Sequence, residues 1–307
     1  PGPVRLTGDF GAAVRSTDAT QDVIPICDAR ATLEQEALAI MALALPQSDW
    51  VTMFRKSLGR TQGLAETILA CKLEAEVPAA GPAPRPFVFL PEMGLMAATR
   101  RLGDGWTKIL LLGNKAGAGH THEDKGSFIL EHRGETYAMD PGTCDYSSPL
   151  AGILKNCERH NMLVPTGQLE RPEPECPLSH DVRPQGTGDE TRFNATIDAA
   201  PGWTQYRRWT RTWDSPTPDR LTITDDYELA PDGGTGVEFY WQTALPVSVT
   251  GQTITLTGQH GRAVIQAPAG TTVRVDDLPM PPGRIQRRIA IVSAATKGTL
   301  VVTVRLS

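Results

Sequence analysis

The sequence has no apolar run longer than the nine residues of Ala37–Leu45, and a membrane-spanning helix needs roughly 20. It has no cluster of basic residues. With 30 Lys+Arg against 35 Asp+Glu, the net charge is −5, which argues against nucleic acid or an anionic membrane as the main partner. Cysteine is sparse: five residues, an odd number with no CxxC pair, fix neither a disulfide pattern nor a redox compartment. No Gly-x-Ser-x-Gly is present for an acyl hydrolase. The glycines of 113–119 are followed by neither Gly-Lys-Ser/Thr nor a helix pattern, so a phosphate loop is a poor match. The stretch ahead of Gly81 contains no His and no Tyr, and no methionine opens the chain.

What is present is punctuation. Gly (29) and Pro (25) make up about one residue in six, scattered without period, and the 40% apolar content suffices for a core. Turn-rich β structure is the expected class. The chain changes character near Ala80. Thr32 with Gln35 forms a capping-box pattern ahead of a helical run Leu33–Leu45 that Pro46 stops. Ser48 is placed to cap a second helix through Trp50, Met53 and Phe54, with Gly59 at its end. A third run over about 63–73 sets Leu64, Ile68 and Cys71 on one side. Four prolines in 77–86 then forbid helix and sheet alike.

Beyond Pro86 the period becomes two. Short strands are expected at Phe87–Leu90, Leu95–Arg100, Trp106–Leu112, Phe128–Glu131 and Thr136–Met139, and again from Arg208 to Leu306, with a two-residue hairpin at Gly251-Gln252. No 10–15-residue helix separates these runs, so the section reads as a large antiparallel β-sandwich. Residues 165–189 read as a long surface loop.

The chemistry concentrates in His120-Thr-His122-Glu-Asp124, followed by Asp140-Pro-Gly and then by His160-Asn161. An extended His-x-His would point both rings to one side of a sheet. Two imidazoles with a carboxylate from a neighbouring strand suit Zn²⁺ or a similar divalent ion. Spacing alone leaves open which histidines ligate, and equally a hydrogen-bonded polar cluster without metal. A cupin would need Glu where Gly126 and Ser127 stand. Glu173 and Glu175 read as solvated loop acids rather than a glycosidase pair. His132, His180 and His260 read as surface residues. Trp203, Tyr206, Trp209 and Trp213, interleaved with Arg207, Arg208 and Arg211, read as one face of a sheet before a sugar-stacking surface.

The series from His120 through Asp124, Phe128, Asp140-Pro-Gly142, Tyr146 and Arg159-His160-Asn161 resembles the heparinase II/III-type polysaccharide lyases. Glu92-Met-Gly94-Leu95…Arg100 and Gly8-Asp9 extend the likeness. The resemblance implies the C-terminal portion of such an enzyme: residues 1–76 as the end of an incomplete α/α toroid, 77–86 as a linker and 87–307 as the sandwich. It implies β-elimination on an acidic polysaccharide of alginate or glycosaminoglycan type. His122, Asp140 and His160 take the metal-ligand positions and His120 the catalytic position in the cleft. Glu92 and Arg159 are expected to bind substrate, with Asp124 and Asn161 in support and Asp124 orienting a ligand imidazole. The metal would be Zn²⁺ first, Mn²⁺ or Ca²⁺ otherwise. A periplasmic or secreted location follows from the same likeness.

The family's catalytic Tyr and second His lie in the toroid and have no counterpart ahead of Gly81. An upstream portion completing the cleft is therefore expected. The alternative is a non-catalytic, metal-stabilised carbohydrate-binding sandwich; weaker still is a purely structural β module. Arg100, Arg101 and Arg159 are the candidates for making an acidic chain attractive to a polyanion.

Overall fold

The structure, a computed structural model, describes residues 3–60, 63, 68, 71–113, 120–167 and 181–307. Three helices open it: α1 (Pro3–Val14), α2 (Gln35–Ala44) and α3 (Asp49–Ser57). The anticipated capping box does not form. Glu34, not Thr32, stands at the N-cap of α2 and makes no side-chain cap bond. Ser48 does occupy the N-cap of α3, but its hydroxyl donates to Leu45 O (2.7 Å) and not to the helix. Most of the expected third helical run lies outside the described residues. Helix α1 has little sequence signal because Gly8 and Gly11 dilute its pattern. Gly11 lets Trp50 pack against the helix, since a Cβ there would sit 2.7 Å from the indole nitrogen.

Strands β1 (Phe87–Leu90), β2 (Leu95–Leu102), β3 (Gly105–Leu112), β4 (Ser127–His132) and β5 (Glu135–Ala138) form an antiparallel meander in sequence order. Its two faces enter different cores. Met96, Ala98, Ile109, Leu111, Phe128 and Leu130 face the sandwich. Leu95, Ala97, Leu110, Leu112 and Ile129 pack with Ala12 and Ala13 of α1 and with Ile24. Burial on both faces explains why the unbroken apolar run Ile109–Leu112 replaces alternation here.

A short helix, α4 (Leu150–Leu154), and β6 (Leu163–Thr166) follow. Strand β6 lies at the edge of a four-stranded sheet with β11 (Gly236–Thr243), β15 (Thr272–Leu278) and β16 (Gln286–Ser293). The eight-stranded sheet holds β7 (Gln185–Gly188), β8 (Phe193–Asp198), β9 (Tyr206–Thr217), β10 (Arg220–Leu229), β12 (Val247–Thr250), β13 (Thr253–Thr257), β14 (Arg262–Gln266) and β17 (Lys297–Leu306). Every strand pairing among the described residues is antiparallel. Phe128 ties the meander to the sandwich, edge-on to Trp213 and Trp241 at centroid distances of 6.4 and 5.3 Å.

Three corrections follow. Residues 165–189 are not one loop: Pro165 lies inside β6 and Gln185–Gly188 is a strand. His132 is not on the surface but fully buried, its Nδ1 3.0 Å from Thr107 Oγ1; His180, Glu173 and Glu175 lie outside the described residues. The aromatic run of β9 is core, and Arg211 is buried on the same face as Trp209 and Trp213 rather than opposite them.

Candidate metal and catalytic site

The site gathers at the end of the meander where β3 finishes, β4 begins and β5 finishes. The His-x-His segment is not a strand. It is a loop ahead of β4, with His120 in the left-handed region at φ 57°. The two rings consequently have different surroundings: His122 is buried, while the His120 side chain is 77% exposed. Asp140 lies two residues beyond β5, where its Oδ1 accepts the backbone N–H of Gly142 (2.8 Å). His160 follows a short 3₁₀ turn at Cys157–Arg159.

His122, Asp140 and His160 each offer a ligand atom, and these atoms lie within 4.8 Å of one another. His160 Nδ1 is 2.9 Å from Asp140 Oδ2. His122 Nε2 is 3.1 Å from Asp28 Oδ1. The other ring nitrogens, Nδ1 of His122 and Nε2 of His160, are buried with no hydrogen-bond partner among the described residues. Burial, reinforced by His160, pulls the His122 imidazole down to about 4. A neutral ring with its proton toward Asp28 leaves a lone pair on Nδ1. Burial works against a proton on His160 too, but Asp140 overrides it and raises this ring above the ordinary imidazole range. Two orphaned imidazole nitrogens beside a carboxylate fit a divalent cation, because unpaired buried nitrogens are otherwise costly.

Asp124 makes no hydrogen bond to His122 or His160 among the described residues. Its Oδ2 takes the Cys27 thiol at 3.6 Å and its Oδ1 has no partner among the described residues; burial raises its carboxyl to about 7. The orienting carboxylate of His122 is Asp28, which sequence reading missed. Asp28 sits 94 positions from His122, and nothing in its local pattern marks it. Burial pushes the Asp28 carboxyl up, yet bonds from Tyr146, His122 and His120 hold it well below the usual carboxylate range. Asp28 Oδ2 is 2.8 Å from His120 Nδ1, accepts the Tyr146 hydroxyl and faces Lys155. Tyr146 Oη is also 3.1 Å from His120 Nδ1. Asp28 and His120 line a cavity of about 490 Å³, together with Glu92, Met93, Phe10 and Ile26, and Tyr146 reaches it only through its bonds to those two residues.

Asn161 works as a strut. Its Nδ2 donates to Phe128 O (2.6 Å) and Met139 O (3.1 Å), and its Oδ1 accepts from Gln242 N–H (2.6 Å). Arg159 does not reach the cavity: its guanidinium is largely buried and donates to Pro279 O (3.0 Å). Arg100 is likewise spent on Thr191 O and Ser215. Arg101 is exposed, but at the opposite end of the meander.

The family model for the C-terminal region of heparinase II/III-like proteins matches residues 82–305. The chain belongs to the heparinase II/III-like family. Two solved structures of similar fold are a heparinase III gene product (TM-score 0.69, 14% identity, 97% of this chain and 45% of that one) and the heparan sulfate lyase of Pedobacter heparinus (TM-score 0.68, 14% identity, 96% and 45%). At such identity the likeness is one of fold. This heparinase II/III-like chain spans less than half the length of either. A search of curated proteins finds no match.

Proposed function

We propose that the chain is the C-terminal portion of a polysaccharide lyase that cleaves a uronic-acid-containing chain by β-elimination. The observation that carries the reading is the pair Asp28 and His120 lining the cavity with Tyr146 bonded to both, backed by the His122–Asp140–His160 donor group.

Elimination removes the C5 proton of a uronate, stabilises the resulting anion and protonates the departing C4 oxygen. Asp28 is held ionised and fixes the His120 proton on Nδ1, which leaves Nε2 as the acceptor or hydrogen-bonding atom toward the substrate. Tyr146 stays protonated, because its bond to Asp28 raises the phenol. It therefore holds a proton 3.1 Å from the same imidazole. The remaining acid/base groups come from the upstream portion. His122, Asp140 and His160 would hold a divalent ion, Zn²⁺ by their chemistry, supplying fixed positive charge beneath the His120 loop.

The test has two parts. Elemental mass spectrometry is expected to find about one divalent ion per chain, lost in His122→Ala and His160→Ala. The longer protein, or this chain recombined with its upstream portion, should release unsaturated uronate from heparan sulfate, another glycosaminoglycan or alginate, and His120→Ala should abolish the release. No unsaturated product across that panel sinks the lyase reading. The absence of His and Tyr ahead of Gly81 favours one second reading, a non-catalytic carbohydrate-binding sandwich. It predicts polysaccharide binding that His120→Ala leaves unchanged.

A further inference from the structure

The far end of the meander is built unlike the rest of the surface. Strands β4 and β5 meet there in a two-residue turn, with His132 paired to Glu135 and both turn residues in the left-handed region: Arg133 at φ 47° and Gly134 at φ 79°. Turns of this kind take Asn or Gly at the first position, because a longer side chain is strained there. An arginine instead occupies it, and the neighbouring strand makes room: a Cβ on Gly105 would lie 2.9 Å from Arg133 Cγ.

The guanidinium is positioned but scarcely used. Nη1 donates to His260 O at 3.3 Å, and Nε is buried without a partner among the described residues. Its acidic neighbour Asp104 is 95% exposed at 3.9 Å, an ion pair of little strength. Glu135, the other nearby carboxylate, accepts the backbone N–H groups of Gln259 and His260 (2.7 and 2.8 Å) and so pins the 258–261 loop. Between these parts lies a cavity of about 350 Å³ lined by Thr17, Asp104, Trp106, Arg133 and His260 and by the two glycines Gly105 and Gly134. The Arg101 guanidinium stands 5.6 Å from the centroid of the half-buried Trp106 ring. The two guanidinia of Arg101 and Arg133, matched in number by the carboxylates of Asp104 and Glu135, stand beside an indole and an exposed histidine.

We propose that this cavity is a second saccharide site, one that binds an acidic sugar unit through the Trp106 indole and the unspent Arg133 donors. An indole offers an apolar platform, and a guanidinium matches a carboxylate or sulfate by paired charge-assisted bonds. The six residues of β4 separate it from the His120 end by roughly 20 Å. One polymer long enough to engage both ends would be held at raised effective concentration. The inference rests on the acidic-polysaccharide reading of the catalytic end.

The experiment is calorimetric titration of size-fractionated heparan sulfate and alginate oligosaccharides into the protein, with Arg133→Asn and Trp106→Ala. Both substitutions are expected to weaken binding of the longest fractions about tenfold. Arg133→Asn should at the same time raise the thermal midpoint, because Asn relieves the turn. Unchanged affinity in both variants overturns the site, and so does wild-type protein that binds neither polymer. A lowered midpoint with unchanged affinity also overturns it, by marking Arg133 as a structural turn residue. Variant-sensitive binding without polymer cleavage by the longer protein fails the lyase reading alone. Cleavage with variant-insensitive binding fails the second site alone.

Discussion

Strands β10 and β17 bury every second residue, with Leu221, Ile223, Tyr227 and Leu229 facing Leu300, Val302, Val304 and Leu306 across one inner surface. The loops of 120–126, 139–145 and 157–161 bury His122, Asp124, Asp140, His160 and Asn161 instead. In the sheet, apolar area removed from water sets the inward positions, with the buried Arg211–Asp225 pair as the exception. In the loops, each polar atom needs a named partner, and the atoms without one mark where a ligand belongs. The sandwich is a scaffold that tolerates exchange of one hydrophobe for another; the loops tolerate almost none.

The substitution that most sharply breaks this contrast is Arg211→Met, since Arg211 is where the regular sheet reaches into the loops. It pairs with Asp225, both fully buried, and its Nη1 donates to Gly126 O (2.8 Å) and Asn161 O (2.7 Å). Removing it strands a buried carboxylate, a loss of about 3–5 kcal/mol. Urea unfolding should show that loss, and adding Asp225→Asn should restore much of it. An Arg211→Met protein of wild-type stability would mean that sheet and loops are independent.

Next in size is a pH effect confined to the loops. In metal-free protein the Asp124 carboxyl is raised to about 7 by burial. A raised acid contributes stability that is fully present below its unfolded value near 4 and is lost as pH rises through about 7. The stability advantage of wild type over Asp124→Asn should therefore shrink between pH 4 and pH 7, as read from unfolding midpoints. His122, lowered to about 4, acts in the opposite sense: its contribution is complete above pH 6.5 and is lost as pH falls through about 4, in both proteins alike. A constant difference across that window would place Asp124 in a wetter setting than its burial implies.

The same contrast decides what was legible. Fourteen runs read as strands from alternation and breakers are strands, and Gly251, at φ 59°, makes the expected two-residue hairpin between Thr250 and Thr253. Period-two patterns are local, so one sequence carries them. The strands β6 and β7 lack such a signal because they contain Pro165, or Gly186 and Gly188. Strand β8 does alternate, with Phe193, Ala195 and Ile197 buried, and was legible but passed over. Spacing leaves open which histidines group with Asp140, and only the family resemblance singles out His122, Asp140 and His160, whose ligand atoms the fold brings within 4.8 Å of one another. Asp28 is singled out by neither. Its four partners lie 92 to 127 positions away, and a lone Asp after Cys27 carries no local signal. The extended reading of His-x-His failed for a related reason: the loop turns at His120 to serve Asp28, a constraint imposed by tertiary structure alone.

Asp28→Asn sharpens the point with a milder change. The amide keeps the shape but loses the charge that fixes the His122 ring, and such orienting partners are typically worth about 10–100-fold in metal affinity. Competition against a chelator should show that loss. The unfolding midpoint of the metal-free protein at neutral pH should fall as well, since the amide gives up the charge-assisted bonds from Tyr146, His122 and His120 that lower the Asp28 carboxyl. Unaltered affinity would mean that His122 is held by packing alone.

The smallest effects come from one chemical change made in two places. Gly251 and Gly152 both have open space where a Cβ would go, so Gly→Ala at either site adds no clash and reports on the backbone. Gly251 sits at φ 59° in the β12–β13 turn; an alanine there is forced into the left-handed region and should cost about 1 kcal/mol. Gly152 lies inside α4 beside the Asp140 and His160 loops, where alanine is the better helix former and should add roughly 0.5–1 kcal/mol. Equal and opposite shifts of the unfolding midpoint are the expected result. If Gly152→Ala instead lowers stability, the helix next to the site needs freedom at that position, and the rigid geometry assigned to those loops would have to give way to one that moves.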